Sequence, residues 1–246
     1  MEAGMAGFFM LLLTAEVLGT IGGFGSSMLV MPLAGLFMPF DQALGLTALF
    51  HVFSNGAKMF LFRQGVSWRL LLWLGSPAVV AVIAGARLTV FMDQRVMGMM
   101  LGSLLVVTGV GLLWKAAWRL SPTNSNAIAG GVISGFIAGM AGTGGAVRGI
   151  TLAAFDLQKM VFVSTSAWID MGVDVSRSVV YAAQGFINAH VLTYLPAMAV
   201  ASITGSWLGK RALERISQSS FRSIVLGLVV LMGAFTLWQA WRGGAR

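Results

Sequence analysis

Two sets of polar residues interrupt apolar sequence at the same spacing. Thr47, His51, Asn55 and Lys58 follow at intervals of four, four and three, and Ser166, Asp170, Asp174 and Arg177 repeat those intervals 119 residues later. Such spacing places each set on one face of a helix. An imidazole, carboxylates and cations arranged this way could line an ion's route or relay a proton. Each residue taken singly would pass for a snorkelling lysine or a core histidine with ordinary partners. Asp174 and Arg177 are close enough along a helix to pair directly, and the plainest role for such a pair is structural. Asp170 lies one turn before Asp174, and two carboxylates that close raise one another's proton affinity, which suits a coupling group. They do not suit an intramembrane aspartyl protease, whose two acids come from facing helices. His51 with Ser54 lacks a third orienting group on the same face, so no nucleophilic triad recurs.

The second chemical feature is backbone rather than side chain. Gly19-Thr20-Ile21-Gly22-Gly23-Phe24-Gly25-Ser26-Ser27 packs four glycines into nine residues within the apolar stretch 3–40. Each glycine costs a helix about 1 kcal/mol relative to alanine, and Pro32 removes a further helical donor. Gly139-Met140-Ala141-Gly142-Thr143-Gly144-Gly145-Ala146-Val147-Arg148 repeats the feature, again at a shift of 119. Irregular backbone at membrane depth survives only where it lines a cavity or is buried in protein. Gly23, Gly25, Ser26 and Ser27, with Gly142, Thr143, Gly144 and Gly145, are therefore the candidate substrate contacts, offering N–H groups and hydroxyls. Arg148 stands where the first copy has Leu29. Its guanidinium could meet an oxyanion bidentately beside a helix N-terminus, or could counter Glu16 or Asp170, or snorkel to an interface. Glu16, one turn before the first break, is either a functional intramembrane acid or a solvated residue near an interface.

The elements that must carry these residues follow from hydropathy. The chain is 57% hydrophobic and 10% charged, against about 25% charged in soluble domains. Apolar runs near 4–38, 42–62, 68–92, 96–118, 127–155, 160–183, 190–209 and 221–241 mostly have the roughly 20 residues a bilayer core requires. The N-terminus shows no basic region or cleavage site and reads as a membrane segment. With no cysteine, disulfides and thiolate metal sites are excluded, and no metal or cofactor is expected. The net charge of +8 gathers at span ends beside tryptophans, a topology signal rather than nucleic-acid affinity. The 119-residue match extends to Pro77 and Pro196, and becomes 124 for Gly109 and Gly233 or Trp114 and Trp238. A duplicated unit thus divides the chain into a first transmembrane repeat at 1–119, a linker at 120–126 and a second repeat at 127–246.

The glycine pattern at 19–32, repeated as Gly-x-x-Gly-x-Gly-Gly at 139–145, resembles the TauE/SafE family of sulfite and organosulfonate permeases. The resemblance spans the whole chain. The first copy reads Gly25-Ser26-Ser27 and the second Gly144-Gly145-Ala146 where the family more often has three glycines, and Thr151 replaces Pro32. It implies a small anionic substrate, sulfite or an organosulfonate, exported from the cytoplasm by a multi-pass protein of the inner membrane. The expected fold is an all-α polytopic membrane protein of two homologous halves, each with a Gly-rich broken helix and about three further spans. If each half crosses four times, the halves are parallel and basic residues divide seven inside to six outside. If each break is a turn, the halves are inverted and the division is nine to four, which fits the positive-inside rule better. Inversion is the expectation. Protons are the coupling ion that the paired acids suggest, lipids are partners, and a homo-oligomer is compatible with the chain. The alternatives are uptake of a related anion, a membrane enzyme, or a scaffold that transports nothing.

Overall fold

The computed structural model describes residues 2–243 apart from 24, 64, 92, 94, 97, 98, 100, 101, 104, 105, 108, 109 and 111–120. The expected span at 96–118, with Gly109, Trp114 and Trp118, therefore falls largely outside the described residues. Among the described residues every regular element is helical, as the fold class requires. The first half contains α1 (Glu2–Gly22), α2 (Ser27–Ala34), α3 (Phe40–Leu61) and α4 (Trp68–Phe91). The second contains α5 (Asn124–Ala141), α6 (Gly145–Ala153), α7 (Lys159–Ala183), α8 (Ala189–Thr193), α9 (Leu195–Glu214) and α10 (Gln218–Gly243).

Apolarity alone identifies fewer spans than the hydropathy runs led one to expect. Among the described residues only Trp68–Phe91 is both long and apolar enough to cross a bilayer, and Ala6–Gly22 is apolar but shorter. The polar residues that dilute α3 and α7 are buried: Thr47, His51, Asn55 and Lys58 on one, Ser166, Asp170, Asp174 and Arg177 on the other. Meanwhile Trp68, Val80, Phe91, Val179, Leu231 and Trp241 face outward. A soluble helical protein has the opposite distribution. Polar groups inside an apolar shell are what a lipid environment selects.

α4 shows how the backbone copes with Pro77. The proline lacks an N–H and crowds the carbonyl four residues earlier, and the preceding turn, Leu71–Gly75, widens into π-helix. Such bulges relieve a helix at the point of conflict. Pro196 meets no such conflict, because it lies in the first turn of α9.

Close packing then places the polar faces. Gly131, Gly135 and Gly139 line one edge of α5, where a Cβ would run into the carbonyl oxygens of Leu74, Ala78 and Val82. α4 and α5 therefore meet backbone to backbone, the usual role of small residues between membrane helices. On the other side, Gly205 and Gly209 of α9 leave room for Glu16 and Thr20 of α1, whose Cβ atoms would lie 2.7 and 2.6 Å from an added methyl. α3 and α7 pack against each other at the centre, with α9 flanking α3 and α4 flanking α7.

Candidate functional site

The chain leaves helix at both glycine stretches. α1 ends at Gly22 and α2 begins at Ser27, with Gly23 and Gly25 at φ 78° and 88°. α5 ends at Ala141 and α6 begins at Gly145, with Gly142 left-handed at φ 73°. That glycine is the αL residue that closes a helix. The carbonyls exposed by the second interruption have partners. Arg177 Nη1 donates to Gly142 O at 2.8 Å and to Ala138 O at 3.3 Å, and Tyr181 Oη donates to Gly139 O at 2.5 Å. A cation at a helix C-terminus also complements its dipole.

Residues from both interruptions border one narrow, partly open cavity with room for about one water molecule. Gly25 and Ser27 come from the first, and Gly142, Gly144 and Gly145 from the second. His51, Arg148, Asp170, Asp174 and Arg177 complete the polar wall, with Ala138 and Val173 as apolar members that their residue types alone could not have revealed. Arg148 grips Asp170 fork to fork: Nη1 pairs with Oδ1, and Nη2 donates to Oδ2 at 2.5 Å. Its Nε donates to Ser166 Oγ at 3.2 Å. Arg177 Nε lies 2.7 Å from Asp174 Oδ1, and Asn55 Nδ2 donates to Asp174 Oδ2 at 2.7 Å. Each acid thus holds its own arginine. Of the two countercharges considered for Arg148, Asp170 is the one in contact.

Of the remaining sequence candidates, Glu16, Ser26 and Lys58 form a second cluster, and none of these three borders the cavity. Glu16 is fully buried rather than solvated near an interface. Lys58 Nζ sits 2.7 Å from its Oε1. Ser54 and Ser206 hydroxyls donate to the same oxygen at 2.7 and 2.8 Å, and Thr20 at 3.1 Å. Ser26 Oγ lies 2.5 Å from Glu16 Oε2 and 3.0 Å from His51 Nε2. The Ser26 hydroxyl therefore faces Glu16 and His51, while its neighbour Ser27 borders the cavity. Thr47 is buried beneath, its hydroxyl 3.7 Å from Met31 Sδ. Thr143 is buried between the cavity glycines Gly142 and Gly144. Ser206 escaped sequence reading because a lone serine in an apolar helix carries no signal; its neighbours Gly205 and Gly209 were the available hint of close approach.

Buried ion pairs thus lie beneath an apolar exterior, beside a cavity at two interrupted helices. The profile of the sulfite exporter TauE/SafE family matches residues 8–236, and the chain belongs to that family, as its glycine motifs led one to expect. No curated protein and no solved structure matches it.

Proposed function

We propose that this protein is a multi-pass transporter of the inner membrane that exports sulfite or a small organosulfonate from the cytoplasm. The observation that carries the reading is the cavity bordered by both glycine interruptions, with Arg148 and Arg177 on its wall. Guanidinium matches an oxyanion's geometry with two parallel bonds, and the carboxylate of Asp170 already occupies that position on Arg148. A sulfite or sulfonate group entering the cavity would compete with Asp170 for the same fork. Asp170, displaced from its cation, would then take up a proton, which is how transport would couple to a proton gradient. The N–H groups of the first turns after Gly25 and Gly144, which no helix satisfies, would complete the binding shell.

Two inverted repeats, 1–119 and 127–246, fit this reading. α1 packs on α9 as α5 packs on α4, so the corresponding elements of the proposed repeats meet in matched pairs. Asn55 and Asp174, matched positions 119 residues apart, touch each other, as residues on the axis relating two halves would. Transporters built from inverted repeats bind substrate at that axis, between interrupted helices.

The test is a thermal-shift screen of purified protein against sulfite, sulfate, thiosulfate and two-carbon sulfonates, followed by flux in proteoliposomes. A ligand at 100 times its Kd should stabilise the fold by about 2.7 kcal/mol. Flux should respond to an imposed pH gradient and lose that response in Asp170→Asn. Absence of any stabilising anion, together with no flux, would overturn the proposal.

A further inference from the structure

We propose that Glu16, Ser26 and His51 form a proton-binding site, holding one more proton than a carboxylate and a neutral imidazole would. The donors along one chain of contacts require it. His51 Nδ1 lies 2.6 Å from the backbone carbonyl of Thr47. A carbonyl only accepts, so Nδ1 must carry a hydrogen. Turning the ring over would set a carbon at that distance from oxygen, inside van der Waals contact. At its other end His51 Nε2 meets Ser26 Oγ at 3.0 Å, and Ser26 Oγ meets Glu16 Oε2 at 2.5 Å.

The serine owns one hydrogen and has two neighbours. If it donates to a Glu16 carboxylate, its own oxygen must accept from His51, which then carries hydrogens on both nitrogens. If it donates to His51, its oxygen must accept from Glu16, which is then a carboxylic acid. With a carboxylate at one end and a bare Nε2 at the other, one of the two contacts would set lone pair against lone pair. The two satisfied forms differ by a concerted shift. The Nε2 hydrogen passes to Ser26 as the serine hydrogen passes to Glu16, and the total is unchanged.

The surroundings give that proton a consequence. Lys58 from α3 faces Glu16, α9 contributes only the Ser206 hydroxyl, and α7 presents Asp174, Arg177 and Asp170 to the cavity that His51 borders, with Arg148 from α6. Three carboxylates, Glu16, Asp170 and Asp174, are matched by three cations, Lys58, Arg148 and Arg177. The extra proton leaves the cluster with one positive charge in excess. A monovalent oxyanion in the cavity would cancel it, so proton and anion would favour each other's binding.

The proton count rests on hydrogen-bond geometry and not on the transport reading, so its test uses no solute. The protein has two histidines, His51 and the exposed His190. In full-length His190→Gln protein, isotope-labelled at histidine and held in lipid nanodiscs at neutral pH, magnetic resonance reads both ring nitrogens of His51. Infrared spectroscopy of the same sample reads a protonated carboxyl that Glu16→Gln removes. One of the two signatures is expected: two protonated ring nitrogens, or the Glu16 carboxylic-acid band. Ser26→Ala keeps the backbone and breaks the link, and should abolish that signature, leaving His51 with a hydrogen on Nδ1 only. If Glu16→Gln does not fold, loss of the band in Ser26→Ala makes the same assignment. A bare Nε2 together with no carboxylic-acid band, or signals that survive Ser26→Ala unchanged, would overturn the proposal.

Discussion

Glu16 and Asp170 are both carboxylates deep in the protein, each gripped by a cation, yet they are surrounded differently. Glu16 receives Lys58, Thr20, Ser26, Ser54 and Ser206, drawn from α1, α3, α9 and the interruption before α2. A carboxylate has about four lone-pair sites, so little capacity remains, and neither Glu16 nor Lys58 borders the cavity. Asp170 has one arginine and a serine, and stands on the cavity wall. The first arrangement locks three elements together. The second leaves donors that an entering anion could take over. Burial alone does not separate an anchoring ion pair from a binding one; what separates them is whether the partners can be exchanged.

The largest expected effect tests the locked cluster. Lys58→Met removes the cation paired with Glu16, and breaking such a buried pair costs about 3–5 kcal/mol. Denaturant unfolding in detergent should show it, and adding Glu16→Gln should restore most of the loss. Arg148→Leu should destabilise less, because Asp170 can draw water from the cavity. Equal losses would erase the distinction between the clusters.

Helix contact comes next. Gly205→Leu would drive a side chain into Glu16 and wedge α9 from α1, where overpacking costs about 1–3 kcal/mol. Gly25→Ala has space on the cavity side, with Asp170 Oδ2 3.7 Å from the new methyl. Its cost is instead conformational, about 1–2 kcal/mol for a left-handed non-glycine residue. Differential scanning of the two variants should therefore rank them in that order.

On the cavity side the sharper test is Arg148→Lys. It keeps the charge opposite Asp170 and loses the planar fork. Sulfite affinity measured by calorimetry should fall at least tenfold, equivalent to about 1.4 kcal/mol, with little change in stability. An unchanged affinity would move the anion site away from Arg148. The smallest effect is set by the surface pair Lys210–Glu214, a half-buried lysine and an exposed glutamate one helix turn apart with their charged atoms at 3.7 Å. Lys210→Ala should shift stability by no more than about 0.5 kcal/mol, a baseline against which the buried pairs are read.

The helical class and the polar face of each central helix were legible in the residue pattern. A helix's covalent period sets which side chains share a face, so Thr47, His51, Asn55 and Lys58 had to line up wherever α3 came to lie. The glycine stretches were legible for a similar local reason, since helix propensity belongs to the residue and its neighbours. Apolar composition announced a membrane protein but overstated how many helices it could identify, because α3 and α7 keep their charges inside. Partner choice was not legible. Whether Arg148 met Glu16 or Asp170, and whether Ser26 faced the cavity or Glu16, depended on how closely α9 could approach α1 and how α3 crosses α7. Those are distances between segments as far apart in the chain as Glu16 and Ser206. No local rule sets such distances. They follow from packing the glycine edges of α5 and α9 against their neighbours, and only the folded protein decided them.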